Sequence, residues 1–247
     1  MDSCLLRAAR KSGVPLLSDI DVFLGAADGP VIGITGTNGK STVTSLVGHL
    51  LKAGGYGVGV GGNLGQAALS LLQPDIEFYV LELSSVQLER SDVSRLERAA
   101  ILNISEDHLD QHGSLAAYAD AKRKIYHGAE YRVFNRADVR TKPDDGVGIS
   151  FGLGAPESER EWGLVTHGGE SWIARGEQQI HRLKQLPLGG LHNAINVMAA
   201  CALVAGWVPD AQISAALQSY AGLPHRFEKV QDFGGVAYVD DSKATNV

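Results

Sequence analysis

The sequence predicts an α/β fold: a P-loop-type, mostly parallel sheet flanked by helices, with a small antiparallel sheet appended. Three observations predict it. Continuous apolar runs suited to buried parallel strands, PVIGIT (30–35), FYVLEL (78–83) and RAAILNI (98–104), alternate with segments of helical period. A glycine-rich turn joins the first run to a helical pattern, the order that a phosphate-binding unit requires. From about residue 149 to 188 the texture changes to short period-two stretches with glycine turns, GLVTHGG, SWIARG and QQIHRLKQ, as in antiparallel strands.

The elements follow in order. Residues 3–12 set Leu5, Leu6, Ala8 and Ala9 beside Arg7, Arg10 and Lys11, a short amphipathic helix, and VPLLSDIDVF (14–23) reads as a strand with polar interruptions. LGAADGP (24–30) reads as a linker. After PVIGIT and its turn, a helix is expected from about Ser41 to Lys52, ended by Gly54 and Gly55. GVGVGGNLG (57–65) reads as a loop, and Leu115 to Tyr126 has helical period. Helices return at 192–206 and 210–220, and FEKVQDFGGVAYVDDS (227–242) reads as a hairpin closed at Gly234-Gly235. A polar segment follows that last strand directly, so further chain is expected beyond Val247 to cover the edge.

Composition narrows the function classes. The chain has 247 residues, more than the ~150 of an average domain, and 44% of them are hydrophobic, enough for a real core. Thirty glycines exceed the usual ~7%, and such an excess goes to turns and to backbone that approaches a ligand. A net charge of −6 argues against a protein built to wrap nucleic acid. Cys4 and Cys201 stand far apart, which indicates neither a disulfide framework nor a cysteine-rich zinc site. The longest apolar stretch, Met198 to Val208, has 11 residues against the ~20 needed to cross a bilayer. The expectation is a soluble, cytoplasmic monomer with neither nucleic-acid nor membrane partners.

The strongest local signal is GITGTNGKST (33–42). Small residues let the N–H groups of Gly36, Thr37, Asn38 and Gly39 turn inward, the helix start adds its positive end, Lys40 neutralises phosphate, and the hydroxyls of Ser41 and Thr42 follow. Ser41 is suited to magnesium. In GGNLG, Asn63 is the one side chain able to make a directed contact, though a plain turn explains the glycines as well. Glu82 closes an apolar run, where a carboxylate faces the ligand crevice and can hold magnesium. A solvated glutamate, or a helix cap by Ser84 or Ser85, is the competing explanation. NISEDHLDQHG (103–113) crowds Glu106, Asp107, His108, Asp110 and His112 together, a density suited to metal or acid–base work or merely to a capped helix start. On composition alone, AKRKIY (121–126) is a solvated basic helix face.

In order along the chain, GITGTNGKST, GGNLG, ELSSVQLE, LNISEDHLD, the lysine of YADAKRKIY, GLHNAIN, GLPHRFE and DDSKATN resemble the motifs of the cytoplasmic muramoyl-peptide ligases. The last two are similar to the D-glutamate-adding branch. The resemblance implies three domains. Residues 1–28 match the end of an N-terminal UDP-binding domain with its linker, and 29–247 match the central ATPase domain, with the C-terminal amino-acid-binding domain absent. It also implies ATP-dependent amide formation between UDP-N-acetylmuramoyl-L-alanine and D-glutamate through an acyl phosphate, in peptidoglycan precursor synthesis.

By motif match, Lys40, Ser41 and Thr42 hold phosphates, Ser41 and Glu82 hold one Mg2+, and His108 with Lys122 hold a second. Lys122 matches the family's carbamylated lysine, whose N-carboxy group supplies the oxygens that an ammonium lacks. The resemblance further implies Asn193 and Asn196 at the adenine, Arg226 and Asp241 on the rest of the nucleotide, Asn63, Ser84 and Ser85 at the muramoyl substrate, and Lys243 and Thr245 on the phosphate and amino-acid side. Two other functions stay open on sequence: a P-loop ATPase or kinase without ligase chemistry, and a nucleotide-binding remnant unable to ligate.

Overall fold

The computed structural model describes residues 4–107, 109–226 and 228–243. Cys4–Lys11 forms α1 and Asp19–Ala26 forms α2. The segment read as a strand over 14–23 is therefore helical from residue 19, and the linker read over 24–30 begins only after Ala26. The reason is local. Ser18 and Asp21 make a capping box, Ser18 Oγ accepting from the Asp21 N–H and Asp21 accepting from the Ser18 N–H, and this nucleates a helix that period-two reading cannot see. Ile20 and Phe23, fully buried, then fall on one face.

β1 (Val31–Thr35) leads through the glycine loop into α3 (Lys40–Ala53), which Gly54 caps. β2 (Val58–Gly62) replaces most of the loop read over 57–65 with a strand, and only Asn63 to Gly65 turn. β3 (Phe78–Glu82), α4 (Ser85–Arg90), β4 (Arg98–Ile101), α5 (Leu109–His112) and α6 (Leu115–Arg123) follow. Then come β5 (Tyr131–Asn135), β6 (Ile149–Phe151), β7 (Glu161–His167), β8 (Glu170–Arg175) and β9 (Gln178–Arg182). α7 (Leu191–Val204), α8 (Asp210–Ser219) and the hairpin β10 (Glu228–Phe233) with β11 (Val236–Asp240) end the described chain.

Nine strands form one sheet in the order β2-β3-β1-β4-β5-β6-β7-β8-β9. Pairing is parallel from β2 to β7 and antiparallel from β7 to β9, so the antiparallel strands extend the parallel sheet through hydrogen bonds. β1, β3 and β4 are buried at every residue, as a sheet covered on both faces demands. Along β1, Ile32 and Ile34 face a core built with α3, α7 and α8. Val31 faces the other core, built with α2, α4 and α6.

Topology places the site. β1 lies between β3 and β4; from β1 the chain goes out to β2, returns through β3, then crosses to β4 and runs outward to β9, so the order reverses beside β1 and the carboxyl ends of the strands there are where a ligand crevice is expected. The glycine loop, Glu82 and the segment after β4 all lie at that edge.

Candidate active site

The loop between β1 and α3 is held from β4's side. Asn103, just past β4, accepts the Asn38 N–H on its side-chain oxygen (2.8 Å), donates to the Asn38 carbonyl (3.0 Å), and accepts the Thr37 N–H on its own carbonyl (2.9 Å). Thr37 Oγ1 accepts the Ser105 N–H. Gly39 takes φ +82° at the start of α3, and a Cβ there would sit 2.5 Å from Asn196 Oδ1, so backbone and side chain meet closely. Sequence reasoning missed Asn103, although it follows β4 as Glu82 ends β3, at the same edge of the sheet.

Two cations converge on one oxygen. Lys40 Nζ donates to the carbonyls of Gly36 (3.0 Å) and Thr37 (2.8 Å). Lys122 Nζ donates to the same Gly36 carbonyl (3.0 Å) and to Thr35 Oγ1 (3.3 Å), over the Tyr118 ring. Lys122 is only 2% exposed, so the solvated-face reading of AKRKIY fails at this residue. Burial, and then the charge of Lys40, bring the Lys122 ammonium down to about 7, against the pull of Asp107 and Glu82. Burial also lowers Lys40, opposed by Glu82 and Asp107, while Arg226 adds to the lowering and so acts within electrostatic reach of the loop.

Glu82 is 3% exposed. Its Oε1 accepts from Asn63 Nδ2 (3.0 Å), whereas Oε2 has no hydrogen-bond partner among the described residues. Gly62, at φ +94°, lets the backbone pass so close to Glu82 that a Cβ would lie 2.5 Å from the Glu82 carbonyl. A buried carboxylate oxygen without a donor, within electrostatic reach of buried Lys122 and half-buried Lys40, fits a metal and anionic oxygens as load. The Ser41 hydroxyl, at the start of α3 with Thr42, supplies a second hard oxygen.

Asn193 and Asn196 are both buried near the start of α7; Asn196 lies against the loop through the Gly39 contact, and Asn193 Nδ2 donates to the Gly189 carbonyl (2.7 Å). Ser84 caps α4, accepting the Gln87 N–H, and Ser85 is bonded to His112. Asp241 and Lys243 are exposed beyond β11, the Lys243 N–H donating to the His225 carbonyl. His108 and Thr245 lie outside the described residues, so the second metal pair of the sequence expectation is represented by Lys122 alone.

This geometry has known counterparts. The family model for the Mur ligase middle domain matches residues 34–204, from the end of β1 to the end of α7. The chain belongs to the Mur ligase family. It is 47% identical over 247 residues to the UDP-N-acetylmuramoylalanine–D-glutamate ligase of Pseudomonas fluorescens, covering 98% of this chain and 55% of that protein. The ligase of the same name from Pseudomonas aeruginosa is 46% identical, and that of Escherichia coli 44%. The chain thus spans about half the length of the curated relatives it matches. Solved Mur ligases share the fold: MurF of Acinetobacter baumannii superposes with a TM-score of 0.69 at 22% identity, over 89% of this chain and 52% of that one. MurC of Thermotoga maritima gives 0.65 at 24%, over 97% and 57%. Membership of this Mur ligase family implies dependence on ATP and Mg2+. Among the described residues, no helix is long and apolar enough to cross a membrane.

Proposed function

We propose that this Mur ligase chain is the ATP-handling part of a cytoplasmic, monomeric enzyme that joins D-glutamate to UDP-N-acetylmuramoyl-L-alanine in peptidoglycan precursor synthesis. The relatives named for that reaction, 44–47% identical over nearly the whole chain, support the substrate pair. The observation that carries the chemistry is the convergence of Lys40 and Lys122 on the Gly36 carbonyl beside the unpartnered oxygen of Glu82.

In this reading the alanyl carboxylate attacks the terminal phosphate, forming an acyl phosphate and ADP, and the amine of D-glutamate then displaces phosphate. Magnesium supplies charge neutralisation when bound. Gly36 to Gly39 cradle phosphate with backbone N–H groups, Lys40 and Thr42 hold it, and Ser41 and Glu82 are the oxygen donors for one Mg2+. Lys122, able to lose its proton near pH 7, is suited to carbamylation, which requires the neutral amine, and with His108 would hold the second metal. Asn193 and Asn196 take the adenine side, Arg226, Asp241 and Lys243 the rest of the nucleotide, and Asn63, Ser84, Ser85 and Thr245 the substrate side.

Calorimetry with Mg2+ and ATP tests the assignment. Lys40→Ala should weaken binding about 100-fold, the loss of a charge-assisted bond to phosphate. Equal affinity in the two proteins would overturn it.

A further inference from the structure

Beside the nucleotide loop, a row of side chains runs inward from exposed Glu89 through buried His112 to Ser85, and of these the reaction above uses Ser85 alone, without saying what its hydroxyl does. Ser85, the first residue of α4 and three beyond Glu82, is 4% exposed. Its hydroxyl lies 2.9 Å from His112 Nε2, and His112 Nδ1 lies 3.1 Å from Glu89 Oε1. The His112 side chain is 1% exposed, whereas Glu89 is 44% exposed. The His112 ring centroid is 5.1 Å from that of Tyr118, the ring that carries Lys122 on its face. The row therefore leads from the surface, through α5, to the neighbours of the phosphate loop.

Its polarity follows from the inventory of donors. A carboxylate only accepts, so the ring nitrogen facing Glu89 carries the hydrogen. In the neutral ring, Nε2 then offers a lone pair, and Ser85 must donate its single O–H to it. Lone pairs are all that Ser85 has left.

We propose that Glu89 and His112 are positioning residues that make Ser85 an acceptor-only group, and that the alanyl amide N–H of the muramoyl substrate donates to it. The proposal rests on the ligase reading. With the alanyl carboxylate at the terminal phosphate that Lys40 holds, the amide N–H one carbon away is the nearest donor on that ligand.

Long-range proton–nitrogen correlation spectra of the 247-residue chain at pH 8 read the tautomer without any ligand. Neutral His112 should be the Nδ1–H form, should become mixed in Glu89→Ala, and should recover in Glu89→Gln, whose amide oxygen still accepts. An Nε2–H form in the wild type, or a tautomer indifferent to Glu89→Ala, would overturn the relay whatever the ligand does. Calorimetry then compares UDP-N-acetylmuramoyl-L-alanine with its ester counterpart, in which L-lactate replaces L-alanine and removes the N–H. The ester should bind the wild type about tenfold more weakly, the loss of one buried hydrogen bond, and should bind Ser85→Ala as well as the amide does. Equal binding of both ligands to the wild type overturns the acceptor role of Ser85. Failure of the chain to bind either ligand while the tautomer is as expected overturns the substrate assignment and Ser85's part in it, leaving the relay as a structural device.

Discussion

Arg98 and Lys122 are both buried cations, and they sit at opposite edges of the same parallel sheet. Arg98 opens β4 at the amino edge. It donates to the Leu203 and Ala205 carbonyls (2.9 and 2.8 Å), closing the last turn of α7, with its guanidinium 3.3 Å from the Trp207 ring centroid and 4.5 Å from that of Tyr131. Burial brings it down only to about 10, so it stays charged at neutral pH. Lys122, at the carboxyl edge, shares the Gly36 carbonyl with a second cation and comes down to about 7. Arg98 keeps its charge because helix-end carbonyls and aromatic faces answer it, and the result is structure. Beside Lys40, the charge of Lys122 is poorly answered, and the result is an ammonium that gives up its proton near pH 7. α7 links the two edges, with Asn193 and Asn196 near its start by the loop and Arg98 at its end.

The largest expected effect lies at the structural edge. Arg98→Ala should destabilise the fold by about 3 kcal/mol, because it leaves the α7 carbonyls without a donor and a cavity under Trp207. Thermal or denaturant unfolding measures it, and ATP affinity of the folded protein should be unchanged at saturating Mg2+. A loss of ATP affinity with stability intact would break the division of labour between the edges.

A smaller effect of opposite sign is expected at Lys122. Its folded pKa, about 7, lies below the ordinary 10.5, so the unfolded chain binds more protons between those values and stability rises with pH across that window. Lys122→Met removes this dependence. In buffer free of carbon dioxide the variant should be more stable than the wild type at pH 7, by on the order of 1 kcal/mol after the lost bond to Gly36 is set against the relieved charge, with the difference closing toward pH 10.5. Parallel stability curves for the two proteins from pH 7 to 10.5 would show that Lys122 is answered as well as Arg98 is.

The two edges also differ in how much of them the sequence discloses. The place of the glycine loop is legible because its residues are contiguous and lie between a buried strand and a helix. The place of Glu82 at a strand end is legible too. Lys122 is not, since AKRKIY has the composition of a wet helix face, and only the ordered motifs singled it out before the structure showed its burial. Arg98 gave no signal at all, because its partners Leu203 and Ala205 lie more than 100 residues along the chain. α2 escapes a sequence reading for the opposite reason: the capping box of Ser18 and Asp21 is wholly local but hidden inside an apolar run. Asn103 and His112 were overshadowed by the density of acidic and histidine residues around them, and only tertiary contacts tell which of these bind the loop and which bind Ser85.

Burial beside Lys40 is proposed to make Lys122 a lysine that takes up carbon dioxide. Carbon-13 spectra of the chain in 13C-bicarbonate at pH 8 test it most directly. One slowly exchanging carbamate resonance is expected in the wild type, absent from Lys122→Met and retained in Arg98→Lys. No such resonance in the wild type, or one that persists in Lys122→Met, would contradict the claim.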